Sequence, residues 1–107
     1  MYYKNRFKNQ NIAVYGMGLT GQSSAKKLRA LGAKVFCWDD NKKVRKDLKN
    51  LKFTLSKFWL EKKILKNIII SPGIDIKKCN ISLYLKKNLN KIITDLDLFF
   101  EINKDIE

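Results

Sequence analysis

Three glycines near the amino terminus have a spacing that is suited to binding a phosphate group. Gly16, Gly18 and Gly21 form a Gly-x-Gly-x-x-Gly pattern between an apolar run and a helix-like segment. In this pattern the first glycine makes a tight turn, the second lets the backbone approach a ligand, and the third lets the helix pack against the strand. Unpaired amides at the start of the helix suit a diphosphate. The spacing also occurs in ordinary turns, but the flanking strand and helix favour phosphate binding.

Two other polar segments could complete a nucleotide site. In Asp39-Asp40-Asn41, Asp39 follows Gly21 by 18 residues, and its carboxylate can accept hydrogen bonds from a ribose or from the N–H of a base. Ser71-Pro72-Gly73 forms a sharp loop that offers main-chain donors and little side-chain bulk. Plainer interpretations stay open for both segments: Asp39 could cap a helix beside Asp40, and the Pro-Gly pair could be a simple turn.

The elements that would position these segments alternate between strands and helices. Apolar residues 12–15 predict a strand that is covered on both faces, and the isoleucines at 68–70 predict another. Apolar spacing predicts a helix from about Thr20 to Leu31, stopped by a left-handed Gly32. Strands are predicted over 11–16, 35–38, 52–55, 67–71 and 91–93. Helices are predicted over about 20–31, after 41, over 57–65 and 81–89, and from a capping box at 94–97.

This alternation predicts an α/β fold: a Rossmann-like doubly wound sheet of about five parallel strands in the order 3-2-1-4-5, with helices on both faces. In such a sheet ligands bind outside the carboxyl ends of strands 1 and 4, where the chain reverses its direction of travel. The glycine loop (residues 16–21), the acidic loop (residues 39–41) and the Ser-Pro-Gly loop (residues 71–73) follow strands 1, 2 and 4. We therefore expect these three loops to converge on one groove.

Composition fits one domain without a membrane or export segment. The 107 residues suffice for a single core, and 45% of them are hydrophobic. No window reaches the roughly 18 apolar residues of a spanning helix. The two cysteines form no C-x-x-C pattern. We therefore expect a soluble, cytoplasmic and monomeric protein.

The net charge of +13 suggests a polyanion as a partner. The lysines, however, are spread along the whole chain, and arginine, which reads bases better, occurs only three times. This distribution favours a compositional bias with solvated lysines over a functional basic surface. We therefore expect no specific nucleic-acid partner and no membrane partner.

The sequence contains no recognisable catalytic or metal-binding set. Histidine is absent, no serine has an evident base partner, and no zinc-ligand pattern occurs. The chain also lacks the Gly-x-x-x-x-Gly-Lys-[Ser/Thr] loop that holds ATP. The residues therefore predict a binding module for a nucleotide diphosphate, with no catalytic residue, metal or cofactor in this domain.

Four segments together resemble the Mur ligase family, in particular the amino-terminal domain of its D-glutamate-adding members. They match that domain in order and spacing: Val14–Gly21, Val35–Asn41, Ile70–Ile74 and Thr94–Phe99. The most specific parts are Ser-Pro-Gly-Ile after a buried strand and the acidic-Leu-Phe start of the last helix. The resemblance implies a cytoplasmic ligase of peptidoglycan synthesis, whose amino-terminal domain holds the uridine diphosphate end of UDP-N-acetylmuramoyl-L-alanine.

The resemblance also implies roles for residues and for further domains. It assigns the diphosphate to Leu19, Thr20 and Gly21 beside Gly18, the uracil to Asp39 and Asp40 beside Asn41, and closure of the pocket to Ser71, Pro72 and Gly73. In the family, a central domain activates the substrate carboxylate with ATP and Mg²⁺, and a third domain positions D-glutamate. Since the chain ends at Glu107, about where the ATP domain would begin, residues 1–107 are expected to form one binding domain that does not ligate alone. Cys79-Asn80 departs from the His-Pro that relatives often have.

Two other functions remain open from the sequence. A nicotinamide-dinucleotide module of a dehydrogenase or a cation-channel regulator could use Asp39 to hold the adenine ribose, although only half of a dinucleotide fold is present. A nucleic-acid or partner-binding domain could act through its lysines, and its affinity for DNA would then depend steeply on salt.

Overall fold

The structure, a computed structural model that describes residues 7–48 and 65–103, is built around a four-stranded sheet. The strands are β1 (Asn11–Tyr15), β2 (Lys34–Trp38), β3 (Leu65–Ile70) and β4 (Ile92–Ile93). The helices are α1 (Leu19–Ala30), α2 (Lys42–Asp47), α3 (Ser82–Lys87) and α4 (Asp95–Asn103), and a 3₁₀ turn lies at Leu89–Lys91. None of the helices within these two ranges is long and apolar enough to cross a membrane.

Neighbouring strands of the sheet pair in parallel, in the order β2-β1-β3-β4. Strand β1 lies between β2 and β3, so that Val14 is opposite both Cys37 and Ile69. A parallel sheet with helices along the chain between its strands confirms the predicted α/β class. The observed order matches strands 2, 1, 4 and 5 of the predicted order 3-2-1-4-5. The predicted third strand, over 52–55, lies outside the described residues.

Helices cover both faces of this sheet. Side chains of β1 alternate between two cores because successive residues of a strand point to opposite faces. The core under α1 and α4 includes Ile12, Val14, Ala25, Leu28 and Leu98. The core under α3 includes Ala13, Tyr15, Ile68 and Leu85. This two-sided burial explains why residues 12–15 form a nearly continuous apolar run, as the sequence predicts.

Helix α1 presents small residues to the sheet and lysines to solvent. Its buried positions fall at helical spacing: Gly21, Ser24, Ala25 and Leu28. The helix ends two residues before Gly32, whose φ is +86°, a conformation that glycine adopts without strain. The helix predicted over about 20–31 is therefore confirmed, together with the signal that ends it.

Side chains cap the starts of α2 and α4. Asn41 is the N-cap of α2, since its Oδ1 accepts a hydrogen bond of 2.9 Å from the Lys43 N–H. At α4, Thr94 Oγ1 accepts from the Asp97 N–H at 3.1 Å, and Asp97 Oδ2 accepts from the Thr94 N–H at 3.1 Å. This reciprocal pair confirms the predicted capping box, with aspartate in the place that glutamate usually takes.

The structure corrects two predicted elements. Leu65, predicted as the last residue of a helix over 57–65, is 3% exposed and begins β3 opposite Asn11. Residues 57–64 of that helix lie outside the described part. The helix predicted over 81–89 spans Ser82–Lys87, and the following 3₁₀ turn includes Lys91, which was predicted to begin the last strand. Apolar spacing alone does not separate a short buried strand from the end of a helix.

Candidate nucleotide-binding site

Gly16 turns the chain sharply at the end of β1. Its φ of +96° lies in the region that favours glycine. A Cβ built on Gly16 would also lie 2.6 Å from Ser71 Cβ and 2.7 Å from Ile74 Cδ1. The absence of a side chain at this position therefore lets the glycine loop contact the segment that follows β3.

Gly21 lets the first turn of α1 pack against the chain turn at Gly16. A Cβ built on Gly21 would lie 1.9 Å from the Gly16 carbonyl oxygen, so a side chain there would displace backbone. The packing role predicted for the third glycine is thus confirmed. Together Gly16 and Gly21 fix where the amino-terminal end of α1 lies relative to β1.

Gly18 leaves the outer surface of the glycine loop open. It is the N-cap of α1, with φ −70° and ψ −168°, and a Cβ built on it would meet nothing within 4 Å. The first hydrogen bond of the helix joins the Gln22 N–H to the Gly18 carbonyl oxygen at 3.0 Å, so the amides of Leu19, Thr20 and Gly21 precede the intrahelical bonds. The first turn contains no acidic residue and no side chain caps it. These amides can donate to an anion.

Hydrogen bonds from main-chain N–H groups join the three predicted loops at the carboxyl ends of β1, β2 and β3. The Met17 N–H donates to Asp39 Oδ2 at 2.8 Å, which connects the glycine loop to the acidic loop. The Ser71 N–H donates to the Tyr15 carbonyl oxygen at 3.1 Å, and the Gly16 N–H donates to the Trp38 carbonyl oxygen at 2.8 Å. Segments that are far apart in the sequence are therefore brought to one edge of the sheet.

Asp39 holds the acidic loop together from within. While its Oδ2 accepts from the Met17 N–H, its Oδ1 accepts from the Asn41 N–H at 2.8 Å. The alternative that Asp39 is the N-cap of α2 is wrong, because Asn41 takes that position. Both carboxylate oxygens of Asp39 already receive a main-chain donor, although each oxygen can accept another.

An acidic cavity of about 230 Å³ lies beside these loops. Its lining residues are Tyr15, Asp39, Asp40, Ile74, Asp75, Lys78 and Cys79. Three carboxylates and one ammonium group suit the N–H and O–H donors of a base or a ribose better than they suit a phosphate. Next to Gly73, the wall is formed by Ile74 and Asp75, while Pro72 and Gly73 are exposed. Among the residues that the structure describes, no three His, Cys, Asp or Glu are grouped to hold a metal.

Tyr15 and Asn80 hold the second carboxylate of the acidic loop. The Tyr15 hydroxyl donates to Asp40 Oδ2, and the Asn80 N–H donates to the same oxygen at 3.3 Å. Burial, followed by the hydrogen bond to Asp40, raises the pKa of Tyr15 well above its ordinary value, so the hydroxyl remains a donor. From its place in the sequence, Tyr15 is predicted only as an apolar strand residue. The signal for another role was a phenol at the last position of a buried strand, where its hydroxyl needs a partner.

Arg45 is a second residue whose role is not evident from the sequence. Its Nη1 donates to the carbonyl oxygens of Asp39 at 2.7 Å and Asp40 at 3.1 Å. Its guanidinium also lies 4.4 Å from the centroid of the Trp38 ring, a cation–π contact. Arg45 therefore fixes the main chain of the acidic loop from the side of α2. The sequence signal for this role was an arginine in the first turns of the helix that follows the acidic loop.

A second groove, of about 320 Å³, lies between α1 and α4. Its lining residues are Thr20, Ser23, Ser24, Lys27, Asp95, Leu96, Leu98 and Phe99. The Lys27 Nζ lies 5.6 Å from the centroid of the half-exposed Phe99 ring. Thr20 thus belongs to this groove, whereas Asp39 and Asp40 belong to the acidic cavity.

Comparison with known proteins identifies the family. Residues 10–93 match the family model described as Mur ligase MurD-like, N-terminal domain. A UDP-N-acetylmuramoylalanine--D-glutamate ligase of Wolbachia pipientis wMel is 31% identical over 106 residues, which cover 91% of this chain and 20% of the relative. The enzyme of the same name from the Wolbachia of Brugia malayi (strain TRS) is 35% identical over 104 residues, 91% of this chain and 21% of the relative.

A third similar protein comes from Rickettsia prowazekii (strain Madrid E). This UDP-N-acetylmuramoylalanine--D-glutamate ligase is 32% identical over 109 residues, which cover 96% of this chain and 23% of the relative. The chain therefore spans about a fifth of the length of these curated ligases. The family model matches well over half of the chain, and it includes the glycine, acidic and Ser-Pro-Gly loops. The chain belongs to the MurD-like N-terminal domain family of the Mur ligases.

Proposed function

We propose that this domain binds the uridine diphosphate end of UDP-N-acetylmuramoyl-L-alanine for a cytoplasmic, D-glutamate-adding ligase. The observation that carries the proposal is the hydrogen bond between the Met17 N–H and Asp39 Oδ2. It joins a loop that is open to an anion to a loop that lines an acidic cavity. A nucleotide diphosphate has the matching halves, an anionic diphosphate and a base with N–H donors. The names of the similar ligases supply the identity of this substrate.

The diphosphate would bind at the glycine loop. Gly18 is exposed and has free space where a Cβ would lie, so a phosphate oxygen can approach the backbone there. The amides of Leu19, Thr20 and Gly21 and the Thr20 hydroxyl would donate to it, and the helix dipole would favour its charge by about 0.3–1 kcal/mol. Because no acidic residue lies in the first turn of α1, nothing in that turn opposes an anion.

The uracil would bind in the acidic cavity. Asp39 and Asp40 line this cavity and can accept the N–H of the ring or the hydroxyls of the ribose, with Asn41 next to them in the chain. Ser71, Pro72 and Gly73 would close the site from the side of β3, where Ser71 contacts the turn at Gly16. The three carboxylates would repel a phosphate and so orient the nucleotide along the site.

The activating chemistry of such a ligase would come from other domains. ATP and Mg²⁺, which the family resemblance implies for the whole enzyme, do not fit this chain, because its sequence lacks a P-loop and its described residues lack a metal-ligand group. We therefore infer that residues 1–107 bind the nucleotide substrate without ligating it, and that D-glutamate meets residues outside this sequence.

Thermal unfolding with different nucleotides tests the proposed function. A ligand that binds the native state alone stabilises it by about 2.7 kcal/mol at a hundredfold excess over its Kd. We expect UDP to raise the melting temperature more than NAD does at equal concentration, and uridine without phosphates to raise it less than UDP. Stabilisation by NAD but not by UDP would assign the site to a dinucleotide instead. Binding to random duplex DNA that persists near physiological salt would favour a nucleic-acid function.

A further inference from the structure

We propose that the edge of the sheet formed by the amino ends of its strands docks the protein on an anionic lipid membrane, with the nucleotide site facing away from the lipid. This surface, which we call the basic edge, consists of six lysines: Lys8, Lys34, Lys66, Lys86, Lys87 and Lys91. It lies at the opposite end of the strands from the glycine, acidic and Ser-Pro-Gly loops. The inference therefore concerns a second surface and does not depend on which nucleotide binds.

Each of the four strands has a lysine at or near its start. Lys34 is the first residue of β2, Lys66 is the second residue of β3, and Lys91 directly precedes β4. Lys8 lies three residues before β1, and its Cγ is 3.4 Å from where a Cβ built on Gly32 would lie. The four strands pair in parallel, so their first residues share one edge. Since neighbouring strands lie about 4.8 Å apart, these four lysines form a row that is about 15 Å long.

The helices bring further positive charge to the same edge. A helix that connects two parallel strands runs back from the carboxyl edge, so its last turn lies near the start of the next strand. The last turn of α1 contains Arg29, and that of α3 contains Lys86 and Lys87. Asn67 Nδ2 donates to the Lys91 carbonyl oxygen at 3.3 Å, which joins the turn after α3 to the start of β3. In the sequence the lysines are spread along the chain, so no membrane partner is expected from it, but the fold gathers six of them at one edge.

The acidic residues lie mostly at the opposite edge. Five of the seven acidic residues in the described ranges lie in the loops and helix starts that follow the strands: Asp39, Asp40, Asp75, Asp95 and Asp97. The other two, Asp47 and Glu101, lie within α2 and α4. The described part of the molecule therefore has a positive end and a negative end along the strand direction. An anionic surface would attract the first and repel the second, so electrostatics would orient the docked protein.

The side chains at the basic edge favour a lipid surface over a nucleic acid. All of its lysines except the half-buried Lys91 are exposed, and a lysine is a flexible point charge that suits any anionic headgroup. Surfaces that bind single-stranded nucleic acid typically add aromatic rings for stacking, but the exposed rings of Phe99 and Phe100 lie on α4. Leu89, in the 3₁₀ turn that ends at Lys91, is 60% exposed. Its side chain can insert between headgroups while the lysines contact them.

The number and spacing of the lysines suffice for reversible docking. A lysine near an anionic membrane strengthens binding by about fivefold, and clusters of about four to eight basic residues beside a membrane bind anionic lipids. The six lysines of the basic edge fall within that range. At physiological salt the Debye length is about 8 Å, which exceeds the spacing of adjacent strands, so neighbouring lysines of the row reinforce one another.

Vesicle sedimentation tests the inference on the whole chain. Vesicles of phosphatidylcholine mixed with phosphatidylglycerol would be compared with vesicles of phosphatidylcholine alone, at physiological salt. We expect the chain to bind the mixed vesicles and not the neutral ones. The α3 pair, Lys86→Gln with Lys87→Gln, should weaken this binding about tenfold to thirtyfold. The strand pair, Lys34→Gln with Lys66→Gln, should weaken it as much, although its two residues are far apart in the sequence.

Matched controls lie at the carboxyl edge. Lys42 and Lys43 are adjacent and exposed at the start of α2, so Lys42→Gln with Lys43→Gln removes the same charge as the α3 pair. We expect this control pair to change vesicle binding much less than the α3 pair does. Leu96, in the first turn of α4, is 59% exposed and so matches Leu89. Leu89→Ser should weaken binding to the mixed vesicles, and Leu96→Ser should not.

The outcomes decide whether the basic edge is the docking surface. Equal losses in the α3 pair and in the control pair would show attraction by the general charge and would overturn the inference. Failure to bind the mixed vesicles, or equal binding to neutral vesicles, would also overturn it. Tighter binding to random duplex DNA than to the mixed vesicles at physiological salt would assign the basic edge to a nucleic acid instead. Melting temperatures would show that the variants are folded, and if one of the two edge pairs failed to fold, the other would decide.

Discussion

Replacing two glycines of the same loop by alanine should have opposite effects on folding and binding. At Gly21 the added Cβ would lie 1.9 Å from the Gly16 carbonyl oxygen. Neither atom can rotate away, because the oxygen belongs to the backbone and the position of a Cβ is fixed by the backbone to which it is attached. Overpacking of this kind typically costs about 1–3 kcal/mol. We expect Gly21→Ala to lie at the upper end of that range, because relief requires α1 to move relative to β1.

At Gly18 the same substitution should leave the fold almost unchanged. Its φ of −70° is open to alanine, and the added Cβ would meet nothing within 4 Å. A lower unfolded-state entropy favours alanine by about 0.4–1 kcal/mol, whereas alanine is a poorer N-cap by about 0.5–1 kcal/mol. These contributions nearly cancel. The methyl group would instead occupy the space through which a phosphate approaches, so UDP affinity should fall about tenfold, or about 1.4 kcal/mol.

Urea unfolding and calorimetry with UDP would measure both effects on the same preparations. Gly21→Ala should lower the urea midpoint without a change in the m-value, and Gly18→Ala should keep the free energy of unfolding within about 0.5 kcal/mol of that of the unmodified chain. Unchanged stability of Gly21→Ala would refute the packing argument. Unchanged UDP affinity of Gly18→Ala would refute the placement of the diphosphate at the glycine loop.

Three further predictions concern residues around the same loops. Asp39→Ala removes the acceptor of the Met17 N–H, so it should lower the free energy of unfolding in urea by about 1–3 kcal/mol and weaken UDP binding. If the substitution changed neither quantity, Asp39 would not belong to the site. Arg45→Met should weaken UDP binding in calorimetry through a less ordered acidic loop, with no loss if Arg45 only stacks on Trp38. Burial raises the pKa of Cys37 to about 12. Between pH 9 and 10 the free energy of unfolding should therefore fall as the pH rises, and it should fall more steeply than in Cys37→Ala. The difference between the two slopes should be at most about 1.4 kcal/mol per pH unit.

The sign of the Cys37 prediction follows from proton binding in the two states. The folded thiol keeps its proton up to about pH 12, whereas the unfolded thiol loses its proton near 9. Between these values the folded state binds more protons, so rising pH favours the unfolded state. A pH dependence that is identical in the unmodified chain and in Cys37→Ala would contradict the inferred burial of this thiol.

The sequence predicted best those features that depend on local backbone geometry. The glycine loop, the left-handed Gly32 and the capping box at Thr94 each require particular residues at fixed offsets, so the sequence specifies them directly. The convergence of three loops was also predictable, because parallel strands of a doubly wound sheet place their carboxyl ends on one edge. Strand β1, buried on both faces, was recognisable from its continuous apolar run.

Features that depend on contacts between distant side chains were harder to predict. Leu65 has the same apolar character in a helix as in a strand, and only its pairing opposite Asn11 decides between the two. Tyr15 contributes its ring to the core and its hydroxyl to Asp40, and the second role depends on a loop that is distant in sequence. Likewise, the sequence left open whether Asp39 caps the following helix, and the contact between Asn41 and the Lys43 N–H decides the matter in favour of Asn41.

We expect local groups rather than the net charge to determine what the site binds. A chain with a charge of +13 attracts polyanions in general, and this attraction weakens with salt. The acidic cavity nevertheless carries three carboxylates, and the open end of α1 offers neutral amides. If the lysines dominated binding, UDP and simple polyphosphates would bind alike. Because the cavity adds acceptors that only a base or a ribose can use, UDP should keep an advantage over inorganic pyrophosphate at high salt, and loss of that advantage would place binding on the general basic surface.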